Sequence, residues 1–188
     1  MKLDDQLKAA IVKMPVKEKD KLLLRLVAKD RKLVRRLVFE LIEGGSTIDE
    51  RVSRLKKDIH DDLFKLAVDH ATPGLLLVFY RHWNARITEH VHATKDKLGE
   101  VSLVFYMLAE GLRIHHKMLS SFPERRSDTL APYLVQRTKA VMAKAEKLHE
   151  DYFIEFRQDL QELLQYIWAF PPTAAIAEDL QLPRNWSH

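Results

Sequence analysis

Residues that interrupt helices are scarce in this chain, and this scarcity limits the folds it can adopt. Glycine occurs five times and proline seven times in 188 residues, whereas average usage gives about 22 of the two together. Sandwiches, barrels and alternating strand–helix folds need turn signals about every dozen residues. The sequence therefore predicts an all-α protein, and its apolar fraction of 46% is sufficient for a hydrophobic core.

The few glycines and prolines mark the predicted helix boundaries. Pro15 separates two short helices, and Gly44-Gly45 ends a third, in which Leu33, Leu37 and Ile42 are predicted to face inward. From Ile48 onward, apolar residues recur at steps of three and four, which is typical of long amphipathic helices. We predict an antiparallel up-down bundle of about four long helices with a cap of three short N-terminal helices.

This pattern favours a single helical domain over residues 1–188. Residues 1–45 would form the basic cap, residues 46–170 the bundle of long helices, and residues 171–188 a C-terminal tail. The segment 131–170 contains no glycine, and its only proline lies at the second position. It is therefore either one helix of about 57 Å or two helices with a break near Glu150.

Helix starts and helix contacts are also encoded locally. Ser46 with Asp49 and Thr47 with Glu50 form two overlapping capping boxes, and Thr72-Pro73 combines an N-cap with a first-turn proline. Counting residues from the predicted corners places His60 level with Glu110, which predicts an interhelical hydrogen bond. Gly111 would allow a close helix contact because it carries no side chain.

Positive charge is concentrated in the first third of the chain. Residues 1–60 contain 16 Lys and Arg against 10 Asp and Glu, whereas residues 61–188 contain 15 against 17. Such a region can bind nucleic acid or an acidic partner. The candidate residues are Lys29, Arg31, Lys32, Arg35, Arg36, Arg51, Arg54, Lys56 and Lys57. Apolar residues and acids alternate with them, which weakens the prediction of a phosphate-binding surface.

Two Glu-x-x-His motifs are the candidate metal ligands. Glu89 with His92, and Glu146 with His149, have the spacing that di-iron bundles use on facing helices. Helical geometry, however, turns three of these four side chains away from the predicted core and leaves His149 on its flank. A solvated polar surface is the alternative interpretation of both motifs.

Catalytic motifs are not found in the sequence. There is no cysteine, which excludes thiol chemistry and cysteine-bound metals. There is no Gly-x-Ser-x-Gly motif and no glycine-rich phosphate loop. We therefore expect no cofactor and favour a protein that is not an enzyme. A pocket beside Trp83 and Tyr106, with Arg113 or Arg137 as its anchor, would suit an anionic small ligand.

Membrane insertion is not expected. The longest uncharged stretch, residues 163–177, has fifteen residues and contains Pro171-Pro172, whereas a bilayer span needs about 20 apolar residues. The first residues show no secretory signal, so we expect a cytoplasmic protein.

The functional prediction is a non-enzymatic helical interaction or scaffold protein. Its partner would be another protein or a second copy of the chain, with dimerisation through the long final helix. Two alternatives remain open at this point. The first is a basic helical module that binds nucleic acid through residues 1–60, and the second is a bundle that binds a metal or a small ligand.

Overall fold

The computed structural model of the protein describes residues 3–186. Of these residues 81% are helical, and none belongs to a strand. The predicted all-α class is therefore confirmed. The chain divides into two compact units, which comprise residues 1–46 (unit 1) and residues 47–188 (unit 2).

Unit 1 consists of three short helices and a π-helical turn. They are α1 (Asp5–Lys13), α2 (Val16–Val27), α3 (Arg31–Leu37) and the turn Val38–Ile42. The carboxylate of Asp30 begins α3 by accepting the amides of Lys32 at 2.9 Å and Leu33 at 3.1 Å. Gly44 and Gly45 end the segment with φ angles of 64° and 70°, a conformation that glycine adopts without steric cost.

Unit 2 contains six α-helices and two short 3₁₀ helices. The α-helices are α4 (Ile48–Val68), α5 (Pro73–Thr94), α6 (Lys97–Ser121), α7 (Leu130–Ala145), α8 (Arg157–Ala169) and α9 (Pro171–Asp179), and the 3₁₀ helices are Glu124–Ser127 and Glu150–Glu155. Helix α6 lies at the centre because it contacts α4, α5, α7 and α8. Helix α9 packs against α7 and α8.

The core of unit 2 follows the predicted apolar stripes. Its largest fully buried side chains include Trp83, Tyr80, Phe105 and Phe156. Gly111 permits a close approach between α5 and α6, because a Cβ atom there would lie 2.3 Å from the hydroxyl oxygen of Tyr80. The predicted role of Gly111 as a close-contact residue is therefore confirmed.

The predicted helix starts are only partly correct. Thr72 caps α5 by accepting the Leu75 amide at 3.2 Å, and Pro73 is the first helical residue, as predicted. Thr47 is the N-cap residue of α4, but its side chain makes no capping hydrogen bond. The Ser46 hydroxyl donates backwards, to the Glu43 carbonyl at 3.1 Å. The capping boxes at the start of α4 were therefore predicted incorrectly.

Segment 131–170 is two helices. Helix α7 ends at Ala145, the 3₁₀ helix Glu150–Glu155 follows, and α8 begins at Arg157. The centre of the Phe156 ring lies 5.3 Å from that of the Phe105 ring in the core, while Tyr152 is exposed. The predicted dimer was to form through one long final helix. The chain has two helices in this segment, and the second of them, α8, packs on α6 and α9.

Residues 182–186, which follow α9, pack against α8. Leu182 and Trp186 are buried, and the indole N–H of Trp168 donates to the Pro183 carbonyl at 3.2 Å. The Arg184 guanidinium lies 4.0 Å from the centre of the Trp168 ring. Within residues 3–186 no helix has the length and apolar character that crossing a bilayer requires.

Candidate interaction surface

Unit 1 exposes most of its large apolar side chains. No residue of α1, α2 or α3 is buried. Eleven of the exposed side chains belong to unit 1 and six to the much longer unit 2. Those of unit 1 are Leu3, Leu7, Val12, Val16, Leu23, Leu24, Leu26, Leu33, Val34, Leu41 and Ile42. We call these eleven residues the apolar surface of unit 1.

This exposure corrects the predicted inward face of the third helix. Ile42 is 79% exposed and Leu33 is 37% exposed, whereas Leu37 is half-buried. The physical reason is that short helices joined by tight corners offer little surface to one another. Helix α2 packs against α3, yet its side chains Leu23 and Leu24 remain 59% and 68% exposed.

The basic residues of unit 1 lie on and just before α3. Lys29, Arg31, Lys32, Arg35 and Arg36 are all exposed. The Arg36 guanidinium is neutralised locally, since its Nε donates to Glu40 at 2.7 Å. The part of the chain around α3 therefore carries positive charge interleaved with the exposed Leu33 and Val34 rather than a continuous phosphate-binding strip.

The remaining basic candidates lie on α4, in the other unit. Arg54 and Lys57 are exposed, and Arg51 and Lys56 are half-buried. Lys57 pairs with Asp61 at 2.8 Å, and the Lys56 ammonium lies 5.3 Å from the centre of the Tyr106 ring. Lys56 and Lys57 thus already have partners within unit 2.

The four candidate metal ligands are exposed side chains on different elements. Glu89 and His92 lie on α5, Glu146 follows α7, and His149 precedes the 3₁₀ helix Glu150–Glu155. Glu146 and His149 line one open cleft, but the His149 ring pairs with Asp151 at 3.1 Å. Across residues 3–186 no group of three or more metal-binding side chains has the geometry to hold an ion.

An ionic cluster around a buried carboxylate lies between α4 and α6. The Glu110 side chain is only 5% exposed, and its Oε1 accepts a hydrogen bond from His60 Nδ1 at 2.7 Å. The predicted His60–Glu110 contact is therefore confirmed. Arg113 donates to Oε2 through Nε at 2.8 Å and through Nη2. Arg113, one of the two predicted anchors for an anion, is therefore paired with Glu110.

Two groups beside this cluster respond to it electrostatically. Burial raises the pKa of Tyr106 to about 12, and the carboxylates of Glu110 and Asp159 add to the shift. Burial likewise raises the pKa of Asp159, against the opposing charge of Lys56. Both oxygens of Glu110 have partners, so the cluster has the features of a satisfied buried charge rather than of a reactive centre.

Two further buried polar groups stabilise helix contacts. Asp96 caps α6 by accepting the Gly99 amide at 2.8 Å and lies 3.4 Å from His90 Nε2. Burial alone would raise the pKa of Asp96, but its hydrogen bonds with His90 and the Gly99 amide outweigh burial and lower it. Burial lowers the pKa of His115 on α6, whose ring bonds to the backbone of Leu63 on α4.

Sequence reasoning did not identify the apolar surface of unit 1. The signal that could have revealed it is the run Leu22-Leu23-Leu24-Arg25-Leu26-Val27. Consecutive apolar residues cover more than one side of a helix, and two neighbours as short as α1 and α3 cannot enclose them.

Comparisons of the chain with protein-family models, with curated proteins and with solved structures gave no match.

Proposed function

We propose that this protein is a non-enzymatic interaction protein, and that unit 1 binds a protein partner through an acidic, apolar helical surface of that partner. The observation that carries this proposal is the apolar surface of unit 1. Single exposed leucines are ordinary on protein surfaces. Eleven large apolar side chains within 40 residues form a concentration that is typical of binding sites.

Helix α2 supports a helical partner in particular. At about 100° per residue, Val16, Leu23, Leu24 and Leu26 fall within one arc of about 160°. Lys17, Lys21 and Arg25 occupy the opposite arc. Helix α2 has twelve residues and is therefore about 18 Å long, which matches three turns of a partner helix laid along it. This arrangement is the helix-on-helix mode of recognition.

The net charge of unit 1 indicates that its partner has an acidic surface. Unit 1 contains 12 Lys and Arg against 7 Asp and Glu, so complementary charge on the partner is acidic. Asp20 is exposed and falls inside the apolar arc of α2. A protein partner can pair this carboxylate with a polar group, whereas the apolar interior of a lipid surface cannot.

Nucleic acid fits this surface less well. A duplex presents phosphates and base edges and has no counterpart for exposed Leu and Val side chains. Self-association is disfavoured because two copies of unit 1 would bring together two surfaces with the same excess of positive charge. Both remain outcomes of the experiment that follows.

Site-specific crosslinking tests the proposal. A photoreactive residue at position 24, on α2, is compared with one at position 78, where Val78 is an exposed side chain of α5 in unit 2. We expect crosslinks to a protein of acidic surface from position 24 only. The partner is then identified by mass spectrometry, purified and titrated against the full chain.

The titration gives the decisive number. Burying one leucine contributes about 1.5–3 kcal/mol, so Leu24→Asp should weaken the Kd about tenfold or more. Val78→Asp, the matched control, should leave the Kd unchanged. Equal crosslinking from position 78, crosslinks only to a second copy of the chain, or crosslinks only to nucleic acid would each contradict the proposal.

A further inference from the structure

One side chain on α5 and one on α7 each contain a buried polar atom that makes no hydrogen bond to the part of the chain that the structure describes. The Nε–H of Arg137 and the amide oxygen of Asn84 are both buried, and neither has a hydrogen-bond partner within residues 3–186. Leaving a charged donor desolvated and unpaired is costly. Such atoms call for a ligand or ordered water that completes them.

The two helices hold these groups at one level. The Tyr133 hydroxyl on α7 donates to the Tyr80 carbonyl on α5 at 3.3 Å, and the two rings stack with centroids 6.1 Å apart. Asn84 lies one turn beyond Tyr80, and Arg137 lies one turn beyond Tyr133. Helices α5 and α7 contact each other directly, and both pack against α6.

Arg81 adds a second cation to the same place. Arg81 and Asn84 are three residues apart and share a face of α5. Burial raises the pKa of Tyr133, and the positive charges of Arg137 and Arg81 both oppose that rise. Neither arginine takes part in an ion pair within the described chain.

We propose that Arg81, Asn84 and Arg137 form a binding site for a dianionic phosphate group, either free or at the end of a small organic ester. Guanidinium groups bind phosphate in a planar, two-pronged geometry and are the preferred protein ligands for it. The Asn84 amide can turn its N–H₂ group toward an anion, because the assignment of its O and N atoms depends on the partner. The Tyr133 hydroxyl already donates to the Tyr80 carbonyl, so the phenol positions α7 against α5 rather than donating to the anion.

Arg86 provides a matched control on the same helix. It too makes no ion pair within residues 3–186, but its guanidinium lies 4.6 Å from the centre of the Trp83 ring. Arg86 is five residues from Arg81, on a different side of α5. If binding depends on the geometry of the site, changing Arg81 must weaken it and changing Arg86 must not. If positive charge alone attracts the anion, both changes must weaken binding to the same extent.

Phosphate titration of the full chain, followed by NMR and calorimetry, tests the site. Inorganic phosphate and glycerol phosphate are titrated separately at constant ionic strength, with chloride as the reference anion. We expect saturable shifts of the Asn84 side-chain amide and the Arg137 Nε–H, with a Kd below about 1 mM. Whichever compound binds more tightly identifies the source of the phosphate group.

Three variants give the expected fold-changes. Losing one charge-assisted hydrogen bond should weaken the Kd about 10- to 100-fold, so Arg81→Gln and Arg137→Gln should both show this loss. Asn84→Asp keeps the shape, adds a repelling charge and should abolish binding. Arg86→Gln should bind like the unchanged protein.

Two results would overturn the proposal. The first is the absence of saturable shifts with either phosphate compound in the unchanged protein. The second is a loss in Arg86→Gln equal to that in Arg81→Gln. If Arg137→Gln fails to fold, Arg81→Gln and Asn84→Asp still decide the question, because the exposed Arg81 can be changed without disturbing the core.

Discussion

Gly111→Ala is the substitution whose effect the geometry predicts most sharply. A Cβ atom at position 111 would lie 2.3 Å from the Tyr80 hydroxyl oxygen, and 2.8 and 2.9 Å from two carbon atoms of the same ring. Carbon atoms in favourable contact are about 3.5–4.0 Å apart. The ring would therefore have to move by about 1 Å, although Tyr80 is fully buried and stacked on Tyr133.

The magnitude follows from two opposing contributions. Alanine is favoured over glycine inside a helix by about 1 kcal/mol, which would stabilise the variant. Overpacking a close-packed core costs about 1–3 kcal/mol and occasionally more. Displacing the ring also weakens the 3.4 Å hydrogen bond from the Tyr80 hydroxyl to the Leu108 carbonyl, which costs about 1 kcal/mol. We expect a net loss of about 1–3 kcal/mol.

Gly74→Ala is the matched control. A Cβ atom at position 74 would meet only Thr72 Oγ1, at 4.0 Å, so this variant should be unchanged or slightly stabilised. Urea unfolding followed by tryptophan fluorescence measures the difference. All three tryptophans lie in unit 2, so the signal reports on the unit that contains both glycines.

A double-mutant cycle identifies the contact. Tyr80→Phe removes the nearest atom, so the combination with Gly111→Ala should be less destabilising than the sum of the single losses, by about 0.5–1.5 kcal/mol. Equal stability of the Gly111→Ala and Gly74→Ala variants would refute the close packing of α5 on α6. Strict additivity with Tyr80→Phe would refute the assignment to that ring.

Three further predictions concern buried polar groups in unit 2. Glu110→Leu should destabilise the fold less than the double change His60→Ala and Arg113→Ala, because the double change leaves the carboxylate buried and unpaired at a cost of about 3–5 kcal/mol. In Glu110→Leu, the former partners His60 and Arg113 are 46% and 53% exposed and can be solvated. Urea unfolding measures the two losses of stability. Asp96→Ala removes a helix cap and should lower the free energy of unfolding by about 1–2 kcal/mol. The pKa of Asp96 is lowered in the folded state, so urea titrations should show this loss of stability in full above the ordinary pKa of 3.8. The difference between the two proteins should disappear as the pH falls through the lowered pKa. The pKa of His115 is also lowered in the folded state, so the unfolded chain binds more protons as the pH drops. The stability of the protein should therefore decrease as the pH falls below the ordinary pKa of 6.5. His115→Gln should flatten this part of a plot of Tm against pH.

Sequence patterns predicted the contacts that depend on helical geometry alone. The His60–Glu110 hydrogen bond followed from counting residues along α4 and α6 from the corners at the two ends of α5. The Thr72-Pro73 helix start followed from a local requirement, since an N-cap acceptor and a proline without an N–H both suit the first turn. Neither prediction needed knowledge of what surrounds the helices.

Features decided by competition between interactions were not predictable in this way. Ser46 was expected to accept a backbone amide of α4, but its hydroxyl donates to the Glu43 carbonyl, because the same side chain can serve either helix end. The break between α7 and α8 is the two-helix alternative stated for residues 131–170, but no glycine or proline decided between that alternative and one continuous helix. There, packing of Phe156 against Phe105 overrides the continuous helical pattern.

The apolar surface of unit 1 marks the limit of amphipathic patterns as a guide to burial. Such a pattern shows which side of a helix is apolar, but it does not show whether the same chain covers that side. In unit 2 the stripes of α5 and α6 are covered by neighbouring helices and become core. In unit 1 the apolar arc of α2, which includes Val16, Leu23 and Leu24, remains exposed. The difference lies in what covers the apolar side of each helix, and for unit 1 we infer that the cover is another protein.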